Sequence, residues 1–254
     1  MLEHLWWAAR VASWFPRWVW FQALAVAVGA AIVAQRGTRP LLAYAVGVAS
    51  AALGALALGC AGGWLRWLTQ GGPPAAIEVA GFGAIGGLVL GHVVAARLVE
   101  MPAAILLDGL ASAFGAILTV ARTGCFFAGC DFGAPTRLPW ALAYPPITPA
   151  FRAQVDAGLI PETAQRTLPV HPTQLYAVLL GPAMIAVAVR PRARPGERFA
   201  LAALAYGVGR LVVDTMRGDL DRVHGITLTQ ALAGSMIGTV LVWRATARRG
   251  ELQH

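Results

Sequence analysis

Seven apolar runs, each close to the ~20 residues a helix needs to cross a hydrocarbon layer, recur along this chain. They lie at about 19–35, 41–60, 79–98, 103–121, 171–189, 199–216 and 226–243. A water-soluble core could not enclose so much apolar surface. Hydrophobic residues make up 57% of the 254 and charged residues only 13%, against about 25% charged in ordinary soluble domains. The fold class expected is all-α, a polytopic membrane protein of about seven transmembrane helices forming one integral membrane domain over 1–254. The longest polar interval, 122–170, is rich in Gly and Pro and is expected to lie outside the membrane or to re-enter it.

All twenty basic residues are arginine. Ten of them, Arg36, Arg39, Arg97, Arg190, Arg192, Arg194, Arg198, Arg244, Arg248 and Arg249, fall on one side of the seven-span arrangement. Arg66 and Arg222 occupy the short loops of the other side, with Arg217 at a span's edge. Short cytoplasmic loops collect Arg and Lys, so the C-terminal tail is expected to be cytoplasmic and the N-terminus and 122–170 periplasmic. The net charge of +8 suits anionic membrane lipids as partners. Because the arginines are scattered between apolar spans rather than gathered on one soluble face, no nucleic acid partner is expected. Trp6, Trp7, Arg10, Trp14, Arg17, Trp18 and Trp20 precede or open the first run without a cleavage-site pattern, and read as an interfacial lead-in kept on the mature protein.

Polar residues inside apolar runs carry the candidate chemistry. In the sixth run Tyr206, Arg210, Asp214 and Arg217 fall within about 80° of one another at 100° per residue, on one helix face. An arginine there costs about 2.5–3.5 kcal/mol on insertion scales unless it meets a partner or a watery cavity. An Arg210–Asp214 pair that only joins helices is one reading; the floor of an anion cavity is the other. Arg217 alone could snorkel outward. His171-Pro172 opens the fifth run, and Pro favours the first helical position, so His171 is the expected N-cap, aiming free N–H groups at the long interval. Around Arg122 the glycines Gly124, Gly129 and Gly133 permit tight turns and close ligand approach. Cys125 and Cys130 are spaced as neither C-x-x-C nor a zinc pair, and read as small buried residues rather than a metal or redox site. His92 reads as a core histidine, and Asp108, which lies in the fourth run and is costly there if charged, is expected to serve as a cap or meet a polar partner.

These residues together resemble the prolipoprotein diacylglyceryl transferase family. Its signature G-R-x-G-N-F-x-N-G-E-x-x-G-x-P-T-x-L-P-W is matched by Arg122, Gly124, Phe126, Gly129, Gly133, Pro135, Thr136, Leu138, Pro139 and Trp140. Its H-P-S/T-Q-L-Y is present as His171 to Tyr176, and its late Y-G-x-x-R-x-x-x-E-x-x-R is similar to Tyr206, Gly207, Arg210, Asp214 and Arg217. Gly86-Gly87-Leu88 resembles the family's H-G-G-L, and Asp108 an Asp that precedes the signature. The chain departs from the pattern at Ile85 for His, Cys125 and Ala128 for Asn, Cys130 for Glu and Phe21 for Tyr, which removes hydrogen-bonding groups and keeps both arginines.

The resemblance implies a bacterial inner-membrane enzyme that moves diacylglyceryl from phosphatidylglycerol to the cysteine thiol of a preprolipoprotein lipobox peptide. It implies catalytic roles for Arg122, Arg210 and His171. Substrate contacts are implied for Arg122, Arg210, Gly124, Gly133, Gln174, Tyr176, Asp214 and Arg217. No metal and no organic cofactor is called for. Competing readings are a divergent paralogue that binds phospholipid without transferring it or uses another acceptor, a membrane thiol oxidoreductase on Cys125 and Cys130, and a transporter lined by Arg210. The arginine asymmetry is testable directly: a reporter active only in the periplasm, fused after Glu251, should be silent, and an active fusion would overturn the orientation.

Overall fold

A computed structural model describes residues 2–70, 80–190, 194–220, 222–223 and 225–251. For 2–17, 62–63, 65–67, 69–70, 222–223 and 246–251 it describes the backbone alone. The side chains of Trp6, Trp7, Arg10, Trp14, Arg17 and Arg66 therefore lie outside the described residues.

Every apolar run forms a helix, and several continue beyond it. They are α1 (Leu2–Ala34), α2 (Thr38–Gln70), α3 (Ala80–Leu98), α4 (Ala103–Ala128), α6 (Thr173–Ala188), α7 (Glu197–Thr215) and α8 (Leu228–Glu251). A short helix, α5 (Pro149–Asp156), sits in the long interval, capped by the Thr148 hydroxyl on the Phe151 N–H. The all-helical expectation needs one small amendment. Two-residue strands, β1 (Arg222–Val223) and β2 (Ile226–Thr227), pair antiparallel between α7 and α8. Among the described residues three helical stretches, Thr38–Ala61, Ala80–Leu98 and Ala103–Ala128, are long and apolar enough to cross a membrane. α7 fails such a test because it carries Glu197, Arg198, Arg210 and Asp214.

The outward faces of these helices are greasy: Leu53, Leu56, Leu90, Val94 and Leu98 are all exposed. Water would penalise that surface at about 25 cal/mol per Å2, while acyl chains would not. Inside, α4 packs against α1, α6 and α7 and forms the hub of the bundle. Leu118 of α4, Met184 of α6 and Ala202 and Tyr206 of α7 share one buried cluster, and Val33, Tyr44, Leu88 and Leu110 another.

Two termini differ from the sequence reading. α4 does not stop at 121 but runs two turns further, so Arg122, Gly124 and Cys125 are helical and the irregular interval begins at Gly129. α6 starts at Thr173 with Pro172 as N-cap, which leaves His171 outside the helix. The reason is that His171 uses its backbone elsewhere: its N–H bonds Ala134 O at 3.1 Å and its C=O accepts from Gly133 N at 3.1 Å.

Small residues let helix backbones touch, as in membrane bundles generally. A Cβ at Gly181 would meet Gly115 O at 2.4 Å, and one at Gly115 would meet Gly181 O at 2.6 Å. Carbonyls in two helices cannot step aside without separating α4 from α6. Gly181→Val should therefore lower the thermal midpoint of the purified protein in detergent by the equivalent of about 1–3 kcal/mol or more, the range for overpacking. Gly234→Ala, which meets nothing within 4 Å, should leave it unchanged. Equal midpoints for both would show that the contact is looser than it looks.

Candidate anion site

The last turns of α4 and α7 bring buried arginines to one end of the bundle. α4 ends on Gly129, whose left-handed φ of +73° suits glycine, and its N–H bonds back to Cys125 O and Phe126 O. Two residues on, Asp131 also adopts a positive φ, +56°, a region that non-glycine residues enter at a cost of roughly 1–3 kcal/mol and chiefly at functional sites. The turn aims its carboxylate between two guanidinium groups. One oxygen is paired with Arg122, and the other accepts from Arg217 Nη2 at 2.7 Å.

Arg217 is held from a second direction, donating Nε to Asp219 Oδ1 at 2.8 Å and Nη2 to Asp219 Oδ2 at 2.6 Å. Its backbone is fixed as well. Gly133 bridges Arg217, while Ala134 N donates to Met216 O at 2.8 Å and Gly218 N to Phe132 O at 3.0 Å. The segment 132–134 is thereby sandwiched between 216–218 and His171. A Cβ at Gly133 would come within 2.4 Å of His171, which explains the glycine.

Arg210 lies deeper, 3% exposed, with Nη2 at 2.8 and 3.0 Å from the two oxygens of Asp214, itself fully enclosed. Its Nε is buried and, among the described residues, has no hydrogen-bond partner. The charges of Arg122 and Arg217 both act on it. Phe82 and Phe114 flank Tyr206 at centroid distances of 6.4 and 5.7 Å, one turn before Arg210. Ile85 packs on the same apolar cluster.

Charge balance in the cluster is uneven. Burial pushes the Asp131 carboxyl up, but Arg217 and Arg122 together hold it well below the usual carboxylate range. At Asp219 burial wins over Arg217, and the carboxyl is pushed up. The Cys130 thiol is pushed far up by its hydrogen bond with Cys125, by burial and by Asp131. Cys125 and Cys130 are both free thiols. With Asp131 they bring possible ligand atoms within 4.8 Å of one another. A metal ion would have to compete with two guanidinium groups for that carboxylate and strip a proton from a resistant thiol.

The other sequence candidates surround this cluster in different ways. Gly124 lies within α4 rather than in a turn, and serves close packing: a Cβ there would sit 2.3 Å from Phe21 Cβ. Phe21 in turn stacks on Phe127 at 5.6 Å. Gln174 donates Nε2 to Cys130 O at 2.7 Å, and Thr173 Oγ1 to Asp131 O at 2.6 Å, so the start of α6 holds the Asp131 turn. Tyr176 OH accepts from Trp140 Nε1 at 2.8 Å and lies 3.5 Å from His171 Nδ1. His171 makes its side-chain hydrogen bond there rather than with an arginine of the cluster.

Arg217 requires a correction. It does not snorkel: it is 6% exposed and held by two carboxylates, and it lies beyond the end of α7 instead of on the shared helix face. Thr173 belongs to the H-P-S/T-Q-L-Y motif, whereas Asp131 and Asp219 stand at no specified motif position. The one available signal was an acidic residue immediately after Cys130, the position where the family signature has Glu. Asp108 and His92 behave as expected: the Asp108 carboxylate caps α7 through Gly196 N and Phe199 N, and His92 is buried with Nδ1 on Leu88 O.

A sequence model described as Prolipoprotein diacylglyceryl transferase matches residues 20–245. Curated relatives named phosphatidylglycerol–prolipoprotein diacylglyceryl transferase include one from Tropheryma whipplei (strain Twist), 30% identical over 193 residues, covering 70% of this chain and 66% of the relative. One from Gloeobacter violaceus is 34% identical over 140 residues, covering 51% and 48%. One from Nocardia farcinica is 29% identical over 203 residues, covering 74% and 40%. The matched stretches thus span about two thirds of the first relative's length and less than half of the other two.

Removing one partner of a buried charge pair strands the other, at about 3–5 kcal/mol. Asp131 is a quarter exposed, so Asp131→Asn should cost less, about 2–3 kcal/mol, read as a lowered thermal midpoint. A carboxyl held below its unfolded value stabilises above pH ~4 and loses that contribution only as pH falls through the lower folded value. Between pH 5 and 8 the wild-type midpoint should therefore carry no loss traceable to Asp131. A variant within about 2 °C of wild type would mean the bridge contributes little.

Proposed function

Since the chain belongs to the prolipoprotein diacylglyceryl transferase family, we propose that it transfers the diacylglyceryl group of phosphatidylglycerol to a lipobox cysteine thiol of a preprolipoprotein, releasing glycerol phosphate. The observation that carries this reading is the convergence of Arg122, Arg210 and Arg217, with a buried Arg210 Nε donor that no protein group meets.

In this mechanism the phosphate of phosphatidylglycerol enters beside Arg210 and shares donors with Arg122. Each guanidinium carries five N–H groups in a plane matched to phosphate oxygens. The substrate thiolate sulfur attacks the diacylglyceryl carbon bonded to the phosphate oxygen. A C–S bond forms, the C–O bond breaks, and the electron pair leaves with glycerol phosphate, where Arg122 and Arg210 offset the developing charge. A thiol with a pKa of about 8.5 needs help to ionise at neutral pH. His171, whose backbone pairs with Gly133 one bridge away from Arg217, is our candidate for that proton. Asp214 and Asp131 hold the arginines in position, Gln174 holds the Asp131 turn, and Tyr176 orients His171. Gly124 and Gly133 permit the close backbone packing.

A second reading is a paralogue that binds phosphatidylglycerol without transfer. It is favoured by one observation: Ile85, which replaces the family's histidine, packs as an apolar residue on the buried cluster that includes Tyr206. Under either reading the seven long helices span the bacterial inner membrane, with the N-terminus and 129–172 periplasmic and the arginine-rich ends cytoplasmic.

Incubating purified protein with phosphatidylglycerol and a lipobox peptide, then weighing the peptide by mass spectrometry, separates the two. A diacylglyceryl adduct supports transfer. An unmodified peptide with retained lipid supports binding alone. Arg122→Lys and Arg210→Lys keep charge but lose the planar fork. Each should reduce lipid binding or turnover ten- to a hundredfold, the worth of a charge-assisted hydrogen bond of about 1.5–3 kcal/mol. Undiminished binding in either variant would sink the clamp.

A further inference from the structure

At the opposite end of the bundle, where α1 finishes and α4 and α7 begin, the helices leave a cavity of about 470 Å3. That is within the roughly 300–1,000 Å3 of small-molecule sites. It is separate from the arginine cluster. From Asp108 to Arg122 along α4 is about 21 Å, and from Arg198 to Arg210 along α7 about 18 Å, at 1.5 Å per residue.

Its inner wall is apolar, formed by the buried Val33, Leu106 and Leu110, with Ile105 46% exposed at the rim. Its polar groups are Arg36, His92, Asp108 and Arg198. Asp108 is already committed, since both carboxylate oxygens accept backbone N–H groups of the α7 start at 2.8 and 2.9 Å. His92 Nδ1 is committed to Leu88 O at 2.8 Å. Arg36 lies against Gly109, where an added Cβ would be 3.1 Å from Nη1, and bonds Asp108 O at 3.3 Å and Ser112 Oγ at 3.1 Å. Those two bonds leave three of its five N–H donors over. Arg198 contributes a buried Nε–H with no hydrogen-bond partner among the described residues, an arrangement that is costly unless an acceptor fills it.

Two guanidinium groups with spare donors, a carboxylate whose oxygens are occupied and an apolar inner wall describe a site for an anion with an apolar continuation. A phosphate ester meets both demands, since arginine's fork matches its oxygens. We infer that this cavity is a second phosphate-binding site, in which Arg36 and Arg198 hold phosphate oxygens and Val33, Leu106 and Leu110 cover the carbon chain. The phosphate is carried either by an anionic phospholipid of the nearby leaflet or by a soluble phosphate ester. The inference does not depend on the transfer chemistry at Arg122.

The test uses delipidated full-length protein titrated with phosphatidylglycerol, glycerol 1-phosphate and inorganic phosphate, read by native mass spectrometry and thermal shift. Arg122→Gln weakens the arginine cluster about ten- to a hundredfold or more, so binding at low ligand concentration reports on the cavity. In that background Arg198→Gln should weaken the remaining binding ten- to a hundredfold. Ile105→Trp, which narrows the rim without changing charge, should do the same, and stands in if Arg198→Gln fails to fold. Loss confined to phosphatidylglycerol assigns the lipid source, and loss of glycerol 1-phosphate or inorganic phosphate binding assigns the soluble one. If Arg122→Gln alone abolishes binding of all three probes, or if neither cavity substitution changes it by more than twofold, the site does not exist.

Discussion

Guanidinium groups enclosed by apolar helices are tolerable only when carboxylates stand within hydrogen-bond reach, and at one end of this bundle that requirement organises everything else. Asp131 meets Arg122 from α4 and Arg217 from beyond α7, while Asp214 meets Arg210 within α7. The bridge ties the end of α4 to the end of α7, two helices that also pack through Leu118, Phe114 and Tyr206. It also dictates local backbone: Asp131 takes a left-handed conformation, Gly129 ends α4 to permit it, and Thr173 and Gln174 at the start of α6 hold the carbonyls of the turn. The rest of the irregular interval is held by its own hydrogen bonds, among them the paired Leu142 and Val170 backbones and Leu168 N on Gln154 Oε1.

The same pairing leaves the cluster poised rather than neutralised. Arg210 keeps an unmet donor, Asp219 is pushed toward its protonated form by burial, and Asp131 keeps its charge. An incoming phosphate finds arginines already oriented, so little ordering remains at binding, which is the physical content of preorganisation. Ile85, Ala128 and Cys130 lie at positions where the family pattern has His, Asn and Glu, while Arg122 and Arg210 keep carboxylate partners in Asp131 and Asp214. Asp131, one residue after Cys130, supplies an acidic group from a different backbone position.

At the other end, Asp108 performs the equivalent task for a helix start. By accepting from Gly196 and Phe199 it satisfies N–H groups that have no partner within α7, at a depth where water is scarce. The Asp108 carboxylate oxygens are thus engaged by backbone, and among the described residues no hydrogen bond joins them to Arg36 or Arg198 in the cavity all three line. The two ends thus use acids in opposite ways, one to hold arginines and one to hold a helix.

What the sequence by itself determined is the class of object and the identity of its key charges. Apolar run length marked the seven long helices, three of which contain stretches long and apolar enough to cross a membrane, because helical rise against membrane thickness depends on local composition. Period placed Tyr206, Arg210 and Asp214 on one buried face. The spacing of Arg122, Gly129 and Gly133 was legible for the same reason. Only the tertiary structure decided how the charges pair. Arg217 reads as a residue free to reach outward until Asp131, eighty-six positions earlier, is brought against it. Gly124 reads as a turn until Phe21 is found pressed on it, and His171 as a helix cap until Gly133 and Ala134 claim its backbone. Such contacts depend on where distant segments meet after packing, and no local pattern encodes a partner that far along the chain.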